Sequence, residues 1–371
     1  MEFKGIVYNT DVKAMYVHVP FCASICAYCD FTRVKYTSVL FDKWFSKIKE
    51  ELSCVVGNLS TIYIGGGTPT VLSELQLDLF LGLLDRFSGV KEYTIEVNPE
   101  TMSYEKCLVL KKHGVNRISM GVQSFQTHLL KMMDRKHSKD DILQCLSWFE
   151  EVGITNCSID LMYGLPKQSM EDWQKDLEVA CSLDVSHISL YSLTIEPNSK
   201  FGRWGVEPCD GDLEFEMYEC AIEYLANNGF EHYEVSNFAR DGKCSRHNIA
   251  YWKYDDFYGI GLGSSGKLGD YRYTQSMNFV QYFEGNYELE LVELSESDKR
   301  FEAIMMGLRM LEGICISKYN LDFGCDLLAL YDDAVSRNVC RGWLEIVDGY
   351  LRVTRDGLYL LHEVLVDFMD E

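Results

Sequence analysis

Short apolar, β-type runs alternate with longer amphipathic stretches through the first half of the chain. We predict strands at residues 15–19, 61–64, 93–97, 117–122, 157–162 and 187–192. The stretches between and after them carry apolar residues at helical spacing, as at 73–87, 139–153 and 213–229. Six strands that are each followed by a helix predict an α/β fold in which a parallel sheet curves into a partial (β/α)6 barrel. Such folds carry their chemistry on the loops that leave the C-terminal ends of the strands.

The pattern changes after residue 236. An aromatic, glycine-rich stretch occupies residues 237–295, and residues 296–371 have the pattern of helices followed by a hairpin with an Asp348-Gly349 turn. We therefore predict a barrel domain at 1–236, a connecting segment at 237–295 and a small winged-helix-like α+β domain at 296–371. Winged helices often bind DNA, but in so acidic a chain a packing or lid role is favoured.

The net charge narrows the classes of function. The chain of 371 residues has a formal net charge of −22, which argues against a nucleic-acid partner and against radical methylation of RNA. No apolar run approaches the ~20 residues of a membrane span, and the N-terminal segment lacks the pattern of a signal peptide. Most of the 14 cysteines are scattered through apolar stretches rather than spaced as a disulfide framework. We expect a protein of the reducing cytoplasm.

Three cysteines stand apart because they fall within eight residues, directly after the first predicted strand. Cys22, Cys26 and Cys29 could be a coincidence of composition, although their spacing makes that reading weak. A structural zinc site would need a fourth ligand, for which His18 is the nearest candidate. An iron–sulfur cube held by three thiolates instead leaves one iron with an open coordination position.

The Cys-x-x-x-Cys-x-x-Cys loop after the first strand resembles the signature of radical S-adenosylmethionine proteins. The resemblance implies that Cys22, Cys26 and Cys29 ligate a [4Fe–4S] cluster and that S-adenosylmethionine occupies the open iron. In that family one electron from the cluster cleaves the sulfonium of S-adenosylmethionine. The cofactor then supplies the difficult chemistry while the protein positions it.

A longer series of motifs resembles coproporphyrinogen dehydrogenase-like radical proteins, and most closely their HemW-type heme-chaperone branch. These motifs are "YVHVPFCASICAYCDF", "IYIGGGTPT", "IEVNPE", "ISMGVQSF", "DRKHS", "SIDLMYGLP", "YEVSNFA" and "HNIAYW". The resemblance implies a set of contacts with S-adenosylmethionine. They are Tyr16, Gly66, Gly67, Thr68, Glu96, Gln123, Arg135 and Asp160.

The stretch "RHNIAYW" matches the HNxxYW motif of the chaperone branch. The resemblance implies heme contact, with the His247 imidazole able to coordinate iron and with Tyr251 and Trp252 offering flat faces to a porphyrin. Without the resemblance, a histidine near aromatic residues is more often a packed core histidine.

Two departures separate the chain from the oxygen-independent coproporphyrinogen III dehydrogenases, which convert two propionates to vinyls. Those enzymes carry Cys-Gly-Cys where this chain has Cys29-Asp30-Phe31, and they have a longer N-terminal extension than the 21 residues that precede Cys22 here. We therefore expect a heme chaperone that delivers heme to respiratory hemoproteins, with peripheral attachment at the membrane. The dehydrogenase activity remains the alternative, and a homodimer is left open.

Overall fold

A computed structural model describes residues 12–285 and 288–369, together with the backbone of residues 2–3 and 6–7. Its strands are β1 (Glu2–Phe3), β2 (Ile6–Val7), β3 (Ala14–Val19), β4 (Phe21–Cys22), β5 (Val34–Lys35), β6 (Thr61–Gly66), β7 (Glu92–Val97), β8 (Arg117–Gln123), β9 (Cys157–Tyr163), β10 (His187–Ser192), β11 (Glu231–Glu234), β12 (Asn237–Ala239), β13 (Phe257–Ile260), β14 (Ser265–Leu268), β15 (Tyr271–Thr274), β16 (Glu290–Glu293), β17 (Ile314–Cys315), β18 (Leu344–Val347) and β19 (Tyr350–Val353).

The α-helices of the same residues complete the element list. They are α1 (Ser38–Cys54), α2 (Glu74–Gly82), α3 (Tyr104–Lys112), α4 (Thr127–Met132), α5 (Lys139–Glu151), α6 (Met170–Ser182), α7 (Lys200–Arg203), α8 (Gly211–Asn227), α9 (Arg246–Trp252), α10 (Phe279–Glu284), α11 (Glu296–Gly307), α12 (Ile316–Phe323), α13 (Leu327–Leu330), α14 (Asp332–Cys340), α15 (Arg355–Tyr359) and α16 (Leu361–Asp367). Short 3-10 helices lie at Pro69–Val71 and Pro99–Thr101.

The six predicted strands form the parallel centre of the main sheet, in the order β3-β6-β7-β8-β9-β10. Most of their residues are buried on both faces, as expected of a parallel sheet covered by helices. The prediction of an α/β, partial-barrel fold is confirmed. Because the strands are parallel, their carboxyl ends and the loops that follow them meet at one edge.

Several helices of the outer layer begin where the sequence offers a serine followed three residues later by an acid or amide. Ser73, Ser138 and Ser169 each accept a hydrogen bond from the backbone of the third helical residue, and that residue's side chain returns to the serine backbone. Such a capping box satisfies backbone donors that the first turn leaves free. These caps fix where each loop ends and its helix begins.

The 237–295 stretch is more closely joined to the barrel than a connecting segment would be. Strand β13 pairs in parallel with β3 and thereby adds a strand beside the first one of the barrel. The antiparallel strands β14, β15 and β16 continue the sheet from β13, and β12 pairs with β10 at the opposite edge. Side chains of this stretch, such as Tyr258 and Tyr273, belong to the barrel's hydrophobic core.

The C-terminal residues have a hydrophobic core of their own, built from residues between Ala303 and Phe368. Strands β18 and β19 form the predicted hairpin, with Asp348 and Gly349 both at positive φ in its turn. Strand β17 pairs with β19, and helices α11 to α16 complete this small α+β unit.

Candidate functional site

A cavity of about 470 Å³ opens at the carboxyl ends of the parallel strands. All three clustered cysteines line it, and so do seven of the eight residues expected to contact S-adenosylmethionine. We call it the cysteine cavity. Those seven residues are Gly66, Gly67, Thr68, Glu96, Gln123, Arg135 and Asp160.

Backbone hydrogen bonds hold the cysteine loop between two neighbouring loops. The Ala27 amide donates to the Met133 carbonyl at 3.0 Å, after α4, and the Phe201 amide donates to the Ala27 carbonyl at 3.0 Å. Lys200 Nζ adds a bond of 2.8 Å to the Ile25 carbonyl. The protein's own hydrogen bonds therefore hold the loop against the elements that follow β8 and β10.

The three cysteines are free thiols, and the surroundings of Cys22 and Cys29 oppose the bare thiolate. Burial raises the pKa of the Cys22 thiol to about 12. Burial also raises the pKa of Cys29, and the Arg33 guanidinium acts against that rise. A buried thiol of this kind ionises when a metal cation replaces its proton, so the donor set suits a metal centre.

The positions of the three thiols around the cysteine cavity are compatible with a cluster. Among the residues that the structure describes, no group of three or more His, Cys, Asp or Glu side chains could hold one metal ion. In an iron–sulfur cube each thiolate binds a different iron, so the thiols need to surround a cavity without converging on one point. The three cysteines around the cysteine cavity meet that requirement.

His18 does not complete a zinc site. Its Nδ1 lies 2.9 Å from the Tyr16 hydroxyl and its Nε2 lies 2.7 Å from the Thr32 carbonyl oxygen. Both ring nitrogens are therefore engaged, and burial lowers the pKa of the imidazole. In this arrangement His18 has no ring nitrogen left for a zinc ion.

The glycine turn after β6 packs against the strand that carries Cys22. A Cβ at Gly67 would lie 2.6 Å from the Phe21 carbonyl oxygen, and one at Gly66 would overlap the His18 ring. Gly66 also has a φ of 110°, which side-chain-bearing residues rarely adopt. The contacts made by these glycines with the protein already exclude a Cβ, so close approach to a ligand is not needed to explain them.

Two carboxyl groups share the floor of the cysteine cavity. Glu96 accepts hydrogen bonds of 3.0 Å from the Tyr63 hydroxyl and from the Gly66 amide, and Asp160 accepts one of 3.2 Å from Ser119 Oγ. Burial raises the pKa of Glu96 to about 7 and that of Asp160 to about 6, and the charge of Asp160 contributes to the rise at Glu96. Two carboxylates in one enclosed space are complementary to a cationic ligand.

Arg135 forms the wall beside Cys26. Its guanidinium donates to Asn98 Oδ1 at 3.0 Å, to the Gly121 carbonyl, and to Cys26 Sγ at 3.8 Å. Its Nε is buried and has no hydrogen-bond partner among the described residues. Gln123 lines the same cavity at a β-bulge between β8 and β9, with a strained φ of 67°.

Tyr16 is the expected S-adenosylmethionine contact that does not line the cysteine cavity. Its hydroxyl lies 2.9 Å from Nδ1 of His18. Sequence reasoning missed other lining residues, among them Asn98, Ser119 and Tyr191. Asn98 donates to Thr68 Oγ1 at 3.0 Å and accepts from Arg135, so it joins two predicted contacts. Its place in the quoted "NPE" motif at the end of β7 was the available signal.

The three expected heme contacts lie away from the cysteine cavity. His247, in α9, is buried and has no ring nitrogen free for iron, because Nδ1 lies 2.9 Å from Thr61 Oγ1 and Nε2 lies 2.7 Å from the Tyr251 hydroxyl. Burial lowers the pKa of His247 to about 3. Tyr251 and Trp252 line a second cavity of about 490 Å³, which we call the aromatic cavity. Tyr254, Phe257, Tyr273, Lys267 and Arg272 also line it.

Comparison with known proteins decides the family. The Radical SAM superfamily matches residues 16–180, and the HemN C-terminal domain family matches residues 294–360. The heme chaperone HemW of Bacillus subtilis is 33% identical to this chain over 97% of this chain and 100% of its own length. The chain belongs to the HemW family. The HemW proteins of Lactococcus lactis (35% identical, 96% of this chain and 97% of its own) and Escherichia coli (32%, 96% and 98%) agree.

Family membership carries consequences for cofactors and fold. The Radical SAM match contains Cys22, Cys26 and Cys29 and implies a [4Fe–4S] cluster and S-adenosylmethionine for this HemW-family chain. The solved Escherichia coli coproporphyrinogen III oxidase, HemN, superposes with a TM-score of 0.85, covering 97% of this chain and 91% of its own, at 20% identity. That likeness shows a shared fold. Within residues 12–285 and 288–369, no helix is both long and apolar enough to cross a membrane.

Proposed function

We propose that this chain binds heme and delivers it to respiratory hemoproteins at the membrane, as a cytoplasmic protein that attaches there peripherally. Its similarity to curated heme chaperones along nearly the whole chain carries this proposal. The cysteine cavity adds a second argument. Where the dehydrogenases have a fourth cysteine, this cavity has Phe31, whose side chain is 66% exposed and carries no thiol.

In this proposal Cys22, Cys26 and Cys29 hold the [4Fe–4S] cluster and the other polar residues of the cysteine cavity hold S-adenosylmethionine. When bound, the pair supplies one-electron chemistry at the sulfonium. Glu96 and Asp160 provide negative charge for the cationic groups of the ligand. Arg135 is suited to its carboxylate, because a guanidinium presents several donors in one plane.

The aromatic cavity is the proposed heme site. Tyr251 and Trp252 provide flat apolar faces there, and 490 Å³ falls within the usual range for a ligand pocket. Lys267 and Arg272 place cations on its wall, already paired with Asp256 at 2.6 Å and with Glu302 at 3.1 Å, so propionate groups would have to take the place of these carboxylates. His247 could bind iron only after it breaks its hydrogen bond with Tyr251 or Thr61. We therefore propose that its main role is to position the Tyr251 hydroxyl.

Hemin titration of the purified protein tests the proposal by its absorption spectrum. We expect a shifted heme spectrum in the wild-type protein, and at least tenfold weaker binding in Trp252→Ala. Trp204→Ala, which removes a tryptophan that is 61% exposed outside this cavity, is the matched control and should bind normally. His247→Ala separates two roles, because loss of an iron ligand changes the spectrum of bound heme whereas loss of support for Tyr251 weakens binding only.

Two results would contradict the chaperone function. One is an unchanged spectrum of free heme in the presence of protein. The other is formation of protoporphyrinogen from coproporphyrinogen by the reduced, reconstituted protein, which would assign the dehydrogenase activity instead.

A further inference from the structure

A groove on the outer side of Arg135 carries a local excess of positive charge. Its lining includes Lys131, Lys136 and Lys139 together with Arg135 and His137, in a cavity of about 560 Å³. We call it the lysine groove. The chain as a whole has a net charge of −22, so a cationic surface here departs from the rest of the molecule.

The charge of the groove is available to a partner. Lys131, Lys136 and Lys139 are exposed, and none of them has an ion pair or side-chain hydrogen bond among the described residues. Asp134 is the one acid within residues 131–139, and it is paired with Lys200 at 2.7 Å. Glu100 lies 3.8 Å from Arg135 and partly offsets that buried cation. The exposed Asp140 also lines the groove, so the exposed charges of the lining are three lysines and one acid, a net excess of positive charge.

The lysine groove is separated from the cysteine cavity by one side chain. Arg135 lines both spaces, and its guanidinium contacts Cys26 Sγ at 3.8 Å. The residue beside Cys26, Ala27, is hydrogen-bonded to Met133 on the same wall. A protein docked in the groove would therefore lie close to the cysteine loop, and electron transfer slows steeply with distance.

We propose that the lysine groove docks an acidic one-electron donor protein, which reduces the cluster held by Cys22, Cys26 and Cys29. This inference rests on the proposed cluster. The step transfers one electron from a reduced flavin or iron–sulfur protein to the cluster, so that the donor is oxidised by one electron and the cluster is reduced by one. Small, weak and electrostatically steered interfaces are typical of such redox encounters.

A membrane surface fits the groove less well. Sequence-readable lipid sites usually contain about 4–8 basic residues in a cluster, because each lysine near an anionic bilayer adds only a modest attraction. Three free lysines in a strongly acidic chain fall short of that number. Their position against Cys26 instead points to a partner that acts on the cysteine cavity.

The test compares two triple variants of the full-length, cluster-loaded protein. Lys131, Lys136 and Lys139 are changed to Glu in one, and the exposed Lys43, Lys49 and Lys91, outside the groove, are changed to Glu in the other. Stopped-flow absorbance follows cluster reduction by a reduced acidic flavodoxin and by dithionite. We expect the groove variant to react roughly tenfold or more slowly with flavodoxin at low salt, with the difference shrinking as salt is raised. Its rate with dithionite and the rates of the control variant should stay near wild type.

Equal rates with flavodoxin in the two triple variants would overturn the proposal. So would binding of wild-type protein, but not the groove variant, to phosphatidylserine vesicles while flavodoxin reduction is unaffected, because that result assigns the groove to a membrane. A Lys→Gln triple should show a smaller slowing if charge is the cause. If no cluster forms in the wild type, the cluster proposal fails. Docking is then tested on the unloaded protein, which should bind flavodoxin in a salt-dependent way, whereas the groove variant should not.

Discussion

The phenol ring of Tyr63 stacks on the imidazole of His247, with ring centroids 5.3 Å apart, while its hydroxyl donates to Glu96 at 3.0 Å. One side chain thus joins the HNxxYW motif to the floor of the cysteine cavity. His247 is held by Thr61 at the start of β6, and Tyr63 lies two residues further on the same face of that strand. A change at the proposed heme motif can therefore reach the S-adenosylmethionine site through direct contacts.

Removal of the Tyr63 hydroxyl should weaken S-adenosylmethionine binding without unfolding the barrel. Tyr63→Phe keeps the stacked ring but takes one donor from Glu96, so the carboxylate that should face a cationic ligand is less stabilised. We expect several-fold weaker binding by calorimetry on reconstituted protein and a stability loss of about 1 kcal/mol. Tyr104→Phe, which removes an exposed tyrosine–glutamate bond of 3.0 Å to Glu151, is the control. Equal affinities in the two variants would show that the Tyr63–Glu96 bond has no role in binding.

Glu96 should make the cofactor-free protein less stable as pH rises. Its folded-state pKa of about 7 lies above the ordinary value of 4.5, so the folded state holds a proton that the unfolded state has lost between these pH values. The contribution of Glu96 to the free energy of unfolding is greatest below pH 4.5 and is lost as pH rises through 7. The Tm of the Glu96→Gln variant minus that of the wild type should therefore increase between pH 5 and pH 8. A constant difference across this range would contradict the raised pKa.

The three clustered cysteines should account for the whole cluster. Replacing Cys22, Cys26 and Cys29 by alanine should abolish the broad visible absorbance of the reconstituted protein, along with its bound iron and sulfide. Cys54→Ala and Cys340→Ala, at two cysteines outside the cysteine cavity, should leave both measurements unchanged. Retention of the absorbance in the triple variant would place the cluster elsewhere.

Lys200 should order the cysteine loop in the absence of cofactor. It bridges the Ile25 carbonyl at 2.8 Å and Asp134 at 2.7 Å, and thereby spans the cysteine loop and the loop after α4. In Lys200→Ala we expect faster amide hydrogen exchange at residues 23–28 and faster loss of iron to a chelator. Lys175→Ala breaks a surface pair of 2.7 Å with Glu171 and serves as the control. Unchanged exchange in residues 23–28 would mean that the backbone bonds of Ala27 suffice to hold the loop.

The glycine turn at residues 65–67 should tolerate no side chain at Gly67. In Gly67→Ala the new Cβ would lie 2.6 Å from the Phe21 carbonyl oxygen, so the turn and the strand carrying Cys22 must separate. We expect a destabilisation of about 1–3 kcal/mol by thermal unfolding and reduced cluster loading. Gly211→Ala, at the first residue of α8 with open space around its Cα, should be neutral or slightly stabilising. A Tm equal to wild type in Gly67→Ala would show that the turn can shift at little cost.

The local sequence was sufficient for the strands of the barrel and for the start of its helices. The predicted strand at 157–162 is Cys157–Tyr163 in the structure, and the predicted helix at 139–153 is Lys139–Glu151, which begins at its Ser138 cap. The helix predicted at 73–87 ends earlier, at Gly82. Strand β13 was missed because its four residues lie in a loop-rich stretch, and pairing with β3 on one side and β14 on the other makes them a strand.

The sequence by itself determined the barrel, the cysteine triad and the family motifs, because these depend on local periodicity and on residues close together in the chain. The tertiary structure decided which of those residues share a space. It brought Glu96, Arg135 and Asp160 to the cysteines, since the carboxyl ends of parallel strands meet at one edge. It also left Tyr16 out of the cavity lining and enclosed His247 among its hydrogen-bond partners, which no spacing along the chain reveals. Burial and the direction of a side chain are set by contacts between residues far apart in sequence, and only the folded chain defines them.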